Sequence, residues 1–146
     1  MHLRHHKRFL RGPWNRPCKL LFAAGLQEIA GRYVDLRSEF DEKEWVCAYA
    51  ACWIDNPAGP RETELRMGSN DSIKVFLDGK EIWNKKVDRI ATVDEDRVRA
   101  TLPQGKATIL LKIGQTGKNW GFYFQLIEPG TENPMQGISI SAQPPK

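Results

Sequence analysis

Histidine is almost missing from this chain: His2, His5 and His6 are the whole supply, and all three lie within the first six residues. A Ser/His or Cys/His nucleophile pair needs its base on a rigid element, so the body of the sequence offers no such base. Phosphate-cradling and dinucleotide-binding motifs are missing as well. Acid pairs able to cleave a glycosidic bond, set roughly 5–10 Å apart, would have to be drawn from Asp71, Asp94 and Asp96. These lie in loop-like stretches where acids ordinarily form turns. The chain is therefore read as a non-enzyme.

Cysteine is scarce too, and odd in number. Cys18, Cys47 and Cys52 cannot all pair within one chain, and on one continuous strand Cys47 and Cys52, five apart, point to opposite faces and cannot bridge. No CxxC spacing supports zinc or a redox motif, so the three read as small buried hydrophobes. No apolar run reaches the roughly 18–20 residues that cross a bilayer, which argues against a membrane role. Acid is missing from residues 1–19, which hold Arg4, Lys7, Arg8, Arg11, Arg16 and Lys19, while the whole chain carries only +4. The body is thus slightly acidic, without the basic face of a folded nucleic-acid binder. The basic arm reads as a solvated tail, and a nucleic-acid partner is disfavoured. Leu20–Ala24 follows that arm as a short apolar segment, but Gly25 and Gln27-Glu28 interrupt it, so no clear signal peptide is legible. A start inside a longer parent protein would look the same, and localisation stays unknown on these grounds.

What is present is β patterning. Glu64–Trp83 reads as three extended runs joined by two tight turns, a β-meander. In Ile73–Leu77, Ile73, Val75 and Leu77 share one face and Lys74 and Phe76 the other, the period of a half-buried strand. Asp78-Gly79 follows, the pair preferred by a two-residue turn with positive φ at both centres. Gly68–Ser72 upstream is dense in turn formers. Trp45–Ile54 is apolar on both faces, which predicts a mid-sheet strand covered on each side, with Trp45 and Trp53 in the core and small residues admitting a close second layer. Tyr33–Leu36, Arg97–Leu102, Ala107–Ile113 and Phe122–Ile127 read as further strands, and Lys85–Asp94 as a long loop with a short strand around Val87. Leu20–Ala30 supports either a short helix or an edge strand.

About eight strands at spacings of roughly 8–12 residues, with little helix between them, predict an all-β antiparallel sandwich. The expected organisation is an irregular basic arm over residues 1–32, a sandwich over 33–128, and a Pro/Gly-rich surface tail over 129–146. Only Ile138 and Ile140 offer that tail an edge strand.

Read in order, Tyr33–Leu36, Ala48–Ile54, Leu65–Lys80, Arg89 with Asp94–Val98, Leu110–Ile113 and Trp120-Gly121-Phe122 resemble galactose-binding-like, carbohydrate-binding-module-like jelly-roll domains. Those are accessory modules of bacterial secreted proteins, including polysaccharide-degrading enzymes. The resemblance implies a two-sheet jelly roll, a secreted or cell-surface setting, neighbouring domains of a parent protein, and carbohydrate as a possible partner. The stretch Gly68–Gly79 is also similar to protective-antigen-type sugar-binding domains, in which adjacent aspartates after Gly-Ser help hold calcium. Asn70-Asp71 stands at those positions, with one carboxylate replaced by an amide, a weaker set of ligands for a hard cation.

A glycan site needs an aromatic face and polar groups that read hydroxyls. Trp83-Asn84 and Asn119-Trp120 are the candidate pairs, with Arg89, Asp94, Asn70 and Asp71 as polar partners. The competing reading is a structural or protein-interaction sandwich whose tryptophans are all internal.

Overall fold

The computed structural model describes residues 4–11, 17–22, 32–39, 47–117 and 119–141. Its strands are β1 (Arg4–Arg11), β2 (Pro17–Phe22), β3 (Val34–Asp35), β4 (Cys47–Asn56), β5 (Arg61–Asn70), β6 (Ile73–Leu77), β7 (Lys80–Lys85), β8 (Asp96–Leu102), β9 (Gly105–Gly114), β10 (Gly121–Ile127) and β11 (Ser139–Ser141), with one helical turn, α1 (Leu36–Glu39). They form two sheets. The larger runs β1-β2-β4-β9-β6-β7, with β11 also on β4, and the smaller runs β3-β10-β5-β8. The described pairings are antiparallel except β2 with β4. An all-β sandwich is the architecture, as the strand spacing predicts. No helix among the described residues is long and apolar enough to cross a membrane.

Side-chain alternation places the core. Ala48, Ala50, Cys52 and Ile54 of β4, with Ile109, Leu111 and Ile113 of β9, face Leu65 and Met67 of β5 and Phe122, Phe124 and Leu126 of β10. The small residues of β4 admit the aromatic rings opposite: Phe122 and Phe124 meet Ala50 and Cys52 around a void of only about 10 Å³. Burial pushes the free Cys52 thiol up to about 12. The other face of β4 is less covered than expected, because Trp53 is half-buried there rather than in the core. Trp45 lies outside the described residues.

The Asp78-Gly79 turn forms as predicted, with φ of +48° and +80°, and it joins β6 to β7 with Leu77 opposite Lys80. The meander does not extend upstream. β5 belongs to the smaller sheet and β6 to the larger, so the turn at Asp71-Ser72 carries the chain between layers. Its backbone docks on β9 through Asp71 N–H to Gly114 O (2.8 Å) and Gly114 N–H to Ser72 O (2.9 Å). The peptide between Asn70 and Asp71 is cis.

Four further expectations change. The arm is not irregular over residues 4–11 and 17–22, where β1 and β2 pair antiparallel and β2 lies along β4, with Cys18 opposite Cys47. Pro17 opens a strand, one of the positions where its missing N–H costs no ladder hydrogen bond, and residues 23–30 lie outside the description. Cys47 is not a free thiol but disulfide-bonded. The segment after 129 is docked more firmly than a surface tail, with Met135 in the core and Arg61 paired with Glu128 at 2.8 Å, while the edge strand expected of Ile138 and Ile140 does form as β11, with Ile140 opposite Ile54. No strand forms around Val87.

Candidate functional site

Tyr33 and Asp35 alternate with buried Val34 and Leu36, so both project from the outer face of the smaller sheet. On the next strand, Tyr123 lies between buried Phe122 and Phe124 and takes the same side. The rings of Tyr33 and Tyr123 meet at 5.3 Å with a 52° tilt, an arrangement favoured by the aromatic quadrupole. Tyr33 reaches across Gly121, where a Cβ would stand 2.3 Å from its ring. Glycine at 121 is what lets the aromatic lie flat on the sheet.

These rings floor an open groove of about 580 Å³. Asp35, Arg37 and Ser38 line one side, and Asn70, Ile90, Ala91 and Asn119 another. Asp35 accepts the Arg37 N–H at 3.0 Å, and the Ser38 hydroxyl donates to the Asp35 carbonyl at 2.9 Å, so α1 is capped by the residue that faces the groove. Burial, then the neighbouring Asp35, Tyr123 and Asp71, push the Tyr33 phenol up to about 12. It therefore keeps its proton at neutral pH and donates to Asn70 Oδ1 at 3.2 Å.

The opposite wall is the loop 86–95, laid over the sheet because Gly68 has no side chain: a Cβ there would fall 1.8 Å from Thr92 O. The Arg89 guanidinium donates to Ser69 O at 3.1 Å, to Ser69 Oγ at 2.9 Å and to both oxygens of Asp96, and Glu95 lies 2.9 Å from its Nε. Lys85 Nζ adds a contact of 3.2 Å to Asp96, whose side chain is 1% exposed. Burial disfavours the charged Asp96, but the hydrogen bonds from Arg89 and Lys85 prevail and hold its carboxyl below the usual range.

Asn119 and Asn70 thus lie on the groove, and the other expected residues lie elsewhere. Trp120 is 1% exposed, with its indole N–H on Ile113 O at 3.2 Å, so it has no face to offer a ligand. Trp83 packs half-buried against the core from β7, and Asn84 is exposed on the same strand; neither lines the groove. Arg89 and Asp94 hold loops: Asp94, at φ +56°, accepts Gln125 Nε2 at 2.6 Å and sits 3.6 Å from the buried Arg66. Tyr33, Asp35, Arg37, Ser38 and Tyr123 were missed, although the alternation of Tyr33–Leu36 and Gly121–Phe124 already put the tyrosines and Asp35 on an outer face.

The Asn70-Asp71 pair does not suit a hard cation, which needs converging free oxygens. Asn70 Oδ1 accepts Ala91 N–H at 2.9 Å and the Tyr33 hydroxyl. Asp71 Oδ1 accepts Arg89 N–H at 3.2 Å, and its Oδ2 takes the Thr116 N–H and hydroxyl, each at 3.0 Å. No group of three or more His, Cys, Asp or Glu side chains able to hold a metal occurs among the described residues.

No protein-family model matches the chain, and no curated protein matches it. Among solved structures it is similar to the PA14 domain of the MpAFP antifreeze protein, with a TM-score of 0.51 and 11% identical residues. The likeness covers 64% of this chain and 50% of that one, so the chain spans about half the length of that structure. At this identity the likeness concerns the fold alone.

Proposed function

We propose that this chain is a non-catalytic β-sandwich module that binds carbohydrate in the groove between Tyr33, Tyr123 and the loop 86–95. The observation that carries this reading is the tilted tyrosine pair, flanked by Asp35 and Asn119 at one open depression. A sugar ring presents an apolar C–H face to an aromatic and hydroxyls to carboxylate and amide oxygens. Those are the groups gathered here. The likeness in fold to a PA14 domain agrees with the resemblance of Gly68–Gly79 to protective-antigen-type sugar-binding domains, and that resemblance supports the reading. The disulfide at Cys47 fits an oxidising compartment, and so an accessory part of a secreted or cell-surface protein.

The test is a glycan panel against the full chain, followed by Tyr33→Ala, Tyr123→Ala and Asn119→Ala on whichever glycan binds. Each variant should weaken binding about tenfold or more, since one lost stack or hydrogen bond is worth roughly 1–1.5 kcal/mol. A folded protein that ignores the whole panel overturns the reading. One feature favours the rival, a protein-contact module: Ile90, 78% exposed, stands at the groove rim, and exposed apolar groups beside a groove also suit a protein partner.

A further inference from the structure

The groove wall is built around the two residues that resemble a calcium-holding pair, and their hydrogen bonds point to another use. Asn70 is bonded on both ends of its amide: Nδ2 donates to Arg89 O at 3.0 Å, while Oδ1 accepts Ala91 N–H. Asp71 accepts the Arg89 N–H on one oxygen and Thr116 on the other. Together the pair grips the backbone on both sides of Ile90 and ties the 114–117 turn to the same point. The donors aimed at these oxygens carry positive hydrogens. A cation placed among them would face N–H groups rather than lone pairs, and making room for it would require both loops to be lifted.

Positive charge is nonetheless supplied beside the pair. Arg89 extends its guanidinium under the loop onto Ser69 and Asp96, with 14% of its side chain exposed. A planar guanidinium delivers several directed hydrogen bonds at once, and here they tie the loop at Arg89 to the β5 terminus and to the start of β8. We propose that Asn70 and Asp71 form a metal-independent clamp in this chain, with Arg89 as the built-in cation that orders the groove wall without calcium. This inference concerns the order of the loop and does not rest on what the groove binds.

The test uses the full chain with calcium chloride or with EDTA. Calorimetric titration of calcium should give no binding heat, and the melting temperature should agree in the two conditions within about a degree. Amide exchange of Arg89, Ala91 and Thr116 should differ less than twofold between them. Asp71→Asn, which keeps the shape but weakens the acceptor, should speed exchange of Arg89 and Thr116 about tenfold in EDTA and in calcium alike. Stoichiometric calcium binding, or a rise of several degrees in the melting temperature on adding calcium, overturns the clamp. Because the wild-type measurements stand alone, the proposal is decided even if Asp71→Asn does not fold. A silent glycan panel would remove the carbohydrate reading and leave this one intact.

Discussion

Gly121 is the position where one methyl group should be felt most at the groove. Its missing side chain is where Tyr33 lies, and an added Cβ would stand 2.3 Å from the ring and 2.4 Å from Val34 O. The Val34 backbone belongs to β3, which pairs with β10 at this very row, Asp35 opposite Gly121. A rotation of Tyr33 would relieve only the first clash. Gly121→Ala should therefore cost about 1–3 kcal/mol, the range of overpacked sites, read as a lower urea midpoint with unchanged slope. It should also displace Tyr33 from Tyr123. A substitution that leaves stability unchanged would mean that the ring does not rest on Gly121. At this scale the sequence was more legible than the choice of residues made from it. Trp120 attracts a ligand reading because it follows Asn119 at the end of a glycine-bearing loop, yet it shares the parity of Phe122 and Phe124, and parity decides burial in a strand. The same counting puts Tyr123 outside. A tryptophan beside a glycine is weaker evidence for a ligand site than the side of the strand it occupies.

Loop 86–95 and the strand it leads into are linked by one buried carboxylate. Asp96 begins β8 and lies opposite Met67 of β5, where burial works against its charge while Arg89 and Lys85 hold that charge in place. Its folded value is depressed below the unfolded carboxylate, about 3.9. The stability it contributes is therefore fully present above that unfolded value and is lost as pH falls through the lower, folded one. Asp96→Asn removes the charge at every pH. The stability gap between wild type and variant, about 2 kcal/mol for charged hydrogen bonds, should hold from pH 7 to about 5 and shrink below about 4. Denaturant melts across that range check it, and a gap that widens in acid would contradict the sign. The sequence marked this segment as a loop but not what it covers. A stretch without period shows that no sheet claims it, whereas its resting place depends on a distant glycine, Gly68. The change of sheet after Asn70 was hidden for a similar reason. Turn formers announce that a chain turns, but whether it turns back or across is settled by the partner strand, here β9.

The sandwich as a whole was legible because both signals that specify it are local: alternation along each strand and turn chemistry between strands. What was not legible is who completes the edge of β4. A mid-sheet strand has N–H and C=O groups to satisfy at both edges, and β9 pairs with one edge along its whole length. The other side is divided, with β11 on Trp53–Asp55 and β2 on Cys47–Ala51. The basic N-terminal segment, which composition alone marks as a solvated tail, is therefore half of an edge cover. Removing residues 1–31 should expose the N–H and C=O groups of Cys47–Ala51 on an apolar strand, the condition that invites pairing with another copy. The truncated chain should keep its β signal by circular dichroism yet associate with rising concentration, read as a mass increase in light scattering, while the full chain does not. Carrying the deletion in a Cys47→Ala background separates strand pairing from cross-linking through that cysteine. If that truncated variant stays monomeric at concentrations where other exposed edges pair, β2 does not protect the sheet, and the arm returns to the solvated tail that its charges suggest.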